Sequence, residues 1–200
     1  MKGESIAFAV GGVLFGLIAG WVIGSQQAAD RPPAPAVQAA SPAAGAPAAP
    51  PPLDEAAVTA YRSVAEREPN NAEPRVRLGN LYFDSERFPQ AIEWYSAALK
   101  LQPNDPDVST DLGVAYYYTN QHDRALEQFT HSLKVDPKHT KTMLNVGIVK
   151  AQGKQDLAGA IAAWQEVVKL APDSPEGQTA RQLIESLRSA HPDVPQRPGA

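Results

Sequence analysis

From Val76 onward the apolar residues fall three and four apart, the spacing that lines one face of a helix. The pattern then returns whole. Leu78, Gly79 and Tyr82 recur as Leu112, Gly113 and Tyr116, each 34 residues on. Ala91, Ile92, Tyr95 and Leu99 recur as Ala125, Leu126, Phe129 and Leu133, and Pro69 and Pro103 lead to Pro137 at the same interval. Such a unit predicts two antiparallel helices, closest where Gly79 faces Ala91, with a proline that cannot continue the second helix. A single hairpin of this kind cannot bury its own apolar face, so the copies must stack.

The period of 34 with small residues at its eighth and twentieth places resembles the tetratricopeptide repeat (TPR) family. The resemblance implies an all-α, right-handed solenoid of helical hairpins. The full copies fall at 72–105, 106–139 and 140–174. The third departs from the pattern: Lys150 stands at the tyrosine position, and an extra residue near Gly153 to Ala158 moves Ala160, Trp164 and Pro172 to a spacing of 35. Residues 53–71 match only the second half of a copy, through Ala57, Tyr61 and Val64, and are expected to cap one end. Residues 175–190 are expected to cap the other, with Ser174 at the helix start and Leu183, Ile184 and Leu187 as its apolar stripe.

The N-terminal quarter follows no such pattern. Ile6 to Ile23 is a run of 18 uncharged, mostly apolar residues, about 27 Å long as a helix and so near the thickness of a hydrocarbon core. It exceeds the usual signal-peptide core and precedes no good small-residue cleavage site. The expectation is therefore a five-residue flank (1–5) and an uncleaved transmembrane helix over 6–24, oriented N-inside by Lys2. Gly12, Gly16, Gly20 and Gly24 share one face of it, a strip suited to close packing with another helix and hence to a homo-oligomer. Residues 25–52 form an Ala/Pro-rich linker, with alanine and proline at 19 of the 25 positions from 28 to 52; extended, those would reach roughly 75 Å. Residues 191–200 read as a disordered tail.

A net charge of −4 gives no basic footprint for nucleic acid, and the absence of cysteine removes disulfides and thiolate ligands. Among the four histidines, only His131, four residues after Glu127, has a candidate metal partner, and two ligands do not make a site. No nucleophile elbow, phosphate loop or dinucleotide loop is present. The expectation is therefore a protein that is not an enzyme and uses no cofactor.

What remains is surface. The resemblance implies that the first helices line a concave groove that takes a peptide or protein client. By register the groove residues are Arg77, Asn80, Phe83 and Asp84, then Asp107, Asp111, Val114, Tyr117 and Tyr118, then Lys141, Leu144, Asn145 and Ile148. Tyr116 takes the core position, which leaves Tyr117 and Tyr118 for the groove or for contact between neighbouring helices. One subclass of the family clamps a C-terminal carboxylate, but Val76 stands where its lysine belongs and Asp111 where an asparagine is expected. The order of anchor, spacer and repeats is similar to that of bacterial inner-membrane assembly factors with a periplasmic repeat domain. It implies a membrane-tethered adaptor, scaffold or client holder. The alternative is a structural membrane protein that oligomerises through its glycine strip and carries passive repeats.

Overall fold

The computed structural model describes residues 50–193. The expected anchor, its four glycines, residues 25–49 of the linker and residues 194–200 of the tail lie outside them. Among the described residues no helix is long and apolar enough to cross a membrane.

Helices follow one another with short turns: α1 (Glu55–Arg67), α2 (Glu73–Asp84), α3 (Phe88–Leu101), α4 (Pro106–Tyr118), α5 (His122–Val135), α6 (Thr140–Ile148), α7 (Leu157–Leu170) and α8 (Pro175–Ala190). Helix starts are set locally. Asp54, Asp105, Asp156 and Ser174 each accept a hydrogen bond from the backbone three residues on, satisfying an otherwise orphaned N–H. Proline occupies the first turn of α2, α3, α4 and α8, where its missing N–H costs nothing.

The pairs α2–α3, α4–α5 and α6–α7 are joined the same way. A Cβ added at Gly79 would overlap the Tyr95 ring, one at Gly113 the Phe129 ring, and one at Gly147 the Trp164 indole. Each glycine thus lets an aromatic ring of the second helix lie directly on the backbone of the first. Two of these rings also satisfy their polar atoms there. The Tyr95 hydroxyl donates to Asn80 Oδ1 at 2.8 Å, and Trp164 Nε1 donates to the Leu144 carbonyl at 3.0 Å. Burial pushes the Tyr95 phenol far above its ordinary pKa, with Asp111 and Asp84 adding to the shift, so it stays a donor.

The turn inside each pair carries one residue with positive φ: Glu86 (57°), Asn120 (58°) and Gln155 (55°). The closing bonds run from Arg87 N to Tyr82 O and from Gln121 N to Tyr116 O, but from Asp156 N to Lys150 O, one residue longer. The third copy's extra residue therefore lies between Lys150 and Asp156. It is absorbed by a π-helical turn, Val149–Gly153, at the end of α6. Lys150, at the tyrosine position, is half-buried and reaches Asp156 at 3.4 Å.

Candidate protein-interaction surface

The groove set, placed in the structure, divides into three groups. Arg77, Asp84 and Asp107 are exposed, and Asn80, Phe83, Asp111 and Lys141 are partly so. Arg77 Nε lies 2.8 Å from Glu73 Oε1, an ion pair on the surface of α2. Val114, Leu144, Asn145 and Ile148 form the second group, and all four are buried. Their assignment to an open groove lining is corrected: Leu144, at 1% exposure, is a packing residue, as are Val114 and Ile148. Asn145 donates through Nδ2 to the Lys141 carbonyl one turn earlier.

Tyr117 and Tyr118 are the third group. Tyr118 stacks on Phe88 with centroids 4.5 Å apart and planes within 8°, and meets Phe83 edge-on at 5.9 Å. Phe83 in turn meets Phe88 edge-on at 5.3 Å. Tyr117 tilts against Tyr118 and against His122, and its hydroxyl donates to Gln152 Oε1 at 2.8 Å. These rings join one repeat to the next, and of the two expectations for this pair the contact between neighbours is the one that matches their surroundings. The cause is the turn itself, which brings Phe88 at the start of α3 against the end of α4. Tyr116 is a core residue as expected, at 4% exposure, and its hydroxyl accepts from Arg124.

Between the second and third repeats lies a polar seam that periodicity did not reveal. Thr110, Ser132 and Thr142 are fully buried. The Thr110 and Ser132 hydroxyls donate to the Pro106 carbonyl at 2.7 and 2.9 Å. Thr142 Oγ1 lies 2.5 Å from Thr110 Oγ1 and 2.8 Å from Ser132 Oγ. His139 closes the array, with Nδ1 2.5 Å from Thr142 Oγ1 and Nε2 3.2 Å from Asp107 Oδ1. A carboxylate can only accept, so Nε2 carries a proton and, in the neutral ring, Nδ1 accepts from Thr142. That bond from His139 holds the Asp107 carboxyl below its ordinary pKa. A signal for the seam existed: Ser132 stands in register with Ala98 and Val167, and Thr142 with Pro74 and Val108. His131 turns its Nδ1 to within 3.2 Å of Ser109 Oγ.

Beside the seam Lys141 Nζ donates to Asp111 Oδ1 at 2.9 Å, with side chains 28% and 25% exposed. Burial pushes the Asp111 carboxyl up, and Lys141 only partly offsets it. Burial works against the Lys141 ammonium too, but Asp111 holds it above its ordinary value. Among the described residues no three His, Cys, Asp or Glu side chains cluster as metal ligands.

Residues 79–120 match the family model described as TPR repeat, and residues 110–175 match the one described as tetratricopeptide repeat. No curated protein matches the chain. Solved structures share the fold. The chain is similar to MamA (41-end) from Desulfovibrio magneticus RS-1 with a TM-score of 0.62 at 22% identity, covering 70% of this chain and 76% of that one. It is similar to the first TPR of Spaghetti (RPAP3) bound to HSP90 peptide SRMEEVD, with a TM-score of 0.54 at 22% identity, covering 60% of this chain and 91% of that one. The Arabidopsis OM64 TPR domain gives 0.54 at 20% identity, covering 59% and 94%. The all-α solenoid and its glycine–aromatic joints agree with both family models, which between them match residues 79–175 to tetratricopeptide repeats.

Proposed function

We propose that the chain is a membrane-tethered protein-interaction module whose repeats recruit a polypeptide client along the face of α2, α4 and α6. The single observation that carries the recruiting role is the accessible polar set Arg77, Asn80, Asp84, Asp107, Asp111 and Lys141 on successive first helices of a tetratricopeptide stack. Tethering rests on the apolar run 6–23 and the spacer behind it. An envelope-assembly role and a periplasmic location rest only on the order of anchor, linker and repeats. The client differs from the acidic peptide bound by the RPAP3 repeat. Here Lys141 is already paired with Asp111, and Asp107 adds a second negative charge nearby, so an acidic tail would meet like charge there.

The test is capture by the full chain in membrane extracts, compared with a variant carrying Arg77→Ala, Asp107→Ala and Lys141→Ala, with bound proteins identified by mass spectrometry. Clients lost from the variant support the reading. Capture that persists in the variant, but disappears when Gly12, Gly16, Gly20 and Gly24 are replaced by leucine, favours assembly through the anchor with passive repeats.

A further inference from the structure

Helix α1 matches the second half of a repeat, and no first half stands among the described residues. By register Ala57, Tyr61 and Val64 correspond to Ala91, Tyr95 and Ala98 of α3 and to Ala125, Phe129 and Ser132 of α5. With the extra residue counted they also match Ala160, Trp164 and Val167 of α7. In the three complete repeats every one of these side chains is 2% exposed or less. Ala57, Tyr61 and Val64 are only half-buried, and Ala56 and Ala60 beside them are exposed. In a complete repeat this face is covered by the repeat's own first helix, seated through its glycine. Among the described residues no such helix precedes α1. In the first two repeats three residues separate the first helix from the second. Residues 50–54 are instead non-helical, and Pro50, Pro51 and Pro52 stand among them.

We propose that the open face of α1 is a docking site for an amphipathic α-helix of another polypeptide, one that sets a glycine on the Tyr61 ring. The interface that would cover it is continuous with the solenoid and already present three times, as Gly79 on Tyr95, Gly113 on Phe129 and Gly147 on Trp164. Those copies specify the partner's chemistry: about three helical turns, a glycine at the crossing, an apolar residue just before it and another three after it, as Leu78 and Tyr82 flank Gly79. A larger residue at the crossing would hold the helices apart. A second copy of the chain does not meet this description. Helix α8, in register with the first helices of the repeats, carries exposed Arg181, Gln182 and Glu185 at the places of Leu78, Gly79 and Tyr82. One end of the stack is closed by polar residues, and the other is built to be continued. This face is separate from the polar set on α2, α4 and α6, and its role does not depend on theirs.

The probe is a helix-stapled, fluorescent peptide of residues 72–87, titrated by anisotropy into the full chain of 200 residues. Saturable binding is expected, weakened at least about tenfold by Gly79→Leu in the peptide, since a leucine there collides with the ring. Tyr61→Asp in the chain should weaken binding as much while the protein still melts cooperatively. Should that variant fail to fold, Ala60→Arg on the exposed side of the same face replaces it. Equal binding of the two peptides, absence of saturable binding, or undiminished binding to the folded Tyr61 or Ala60 variant overturns the proposal. So does self-association of the unmodified chain that Tyr61→Asp abolishes, because the occupant is then a second copy.

Discussion

Where repeat 1 meets repeat 2, Phe83, Phe88 and Tyr118 stack at the edge of the solenoid, and Tyr118 keeps 37% of its surface in water. Where repeat 2 meets repeat 3, three hydroxyls with no exposed surface share one carbonyl and one histidine. The backbone register is the same at both junctions, and the forces are not. Rings slide over one another at little cost, because dispersion and area burial have weak directionality. Buried hydroxyls tolerate no slip, because each must keep its partner or bear the full desolvation penalty. The aromatic junction supplies adhesion, and the polar junction supplies alignment.

Breaking the polar junction at its charges should have the largest effect. Asp111→Ala leaves the Lys141 ammonium in a partly buried seat, and Asp107 is already engaged by His139. The expected loss is about 3 kcal/mol, the lower end for a broken buried pair, since part of each side chain still reaches water. Urea unfolding measures it, and replacing both partners by leucine should recover most of the loss.

Next comes the hydroxyl array. Thr142→Val keeps the shape but leaves the part-buried His139 Nδ1 without its donor. About 2 kcal/mol should be lost. Combining it with Thr110→Val and Ser132→Ala should cost well under three times as much, because Thr110 and Ser132 share one acceptor and their hydroxyls are removed along with the need for it. Additive losses would show three independent bonds and dissolve the contrast between the junctions.

At the aromatic junction Tyr118→Ala should cost about 1 kcal/mol, and a double-mutant cycle with Phe88→Ala should assign most of that to the stacked pair. A loss matching that of Thr142→Val would show that the edge rings align the repeats too.

The smallest effect is a pH dependence. The folded pKa of Asp107 lies below its unfolded value, chiefly because His139 donates to it. Its contribution to stability is therefore complete above the unfolded pKa and is lost as pH falls through the folded one. Asp111 has the opposite sign: its pKa is raised, so its contribution fades as pH rises from the unfolded value through the folded one. Against Asp107→Asn, the unmodified protein should lose more stability on acidification below the ordinary carboxylate range, as thermal melts at stepped pH would read. Parallel curves would mean that the His139 contact is not held in solution.

Periodicity by itself was enough for the helical pairs, the helix start at Ser174 and the close approach of the paired helices at Gly79. Each of these depends on residues at a fixed spacing along one helix or across one short turn. The third repeat's extra residue was visible as a spacing of 35, but only the backbone assigned it to a π turn after Val149. The groove set was legible only as register. Register says which helix face a residue occupies, and not what a neighbouring repeat lays over it, so Val114, Leu144, Asn145 and Ile148 are buried. Tyr117 and Tyr118 were left between groove and packing, and that was settled by the path of the chain into Phe88, a contact across 30 residues of sequence. The hydroxyl seam and the uncovered face of α1 belong to the tertiary structure for the same reason. Both arise where one repeat meets the next or fails to, and a pattern that describes each repeat alone carries no term for that contact.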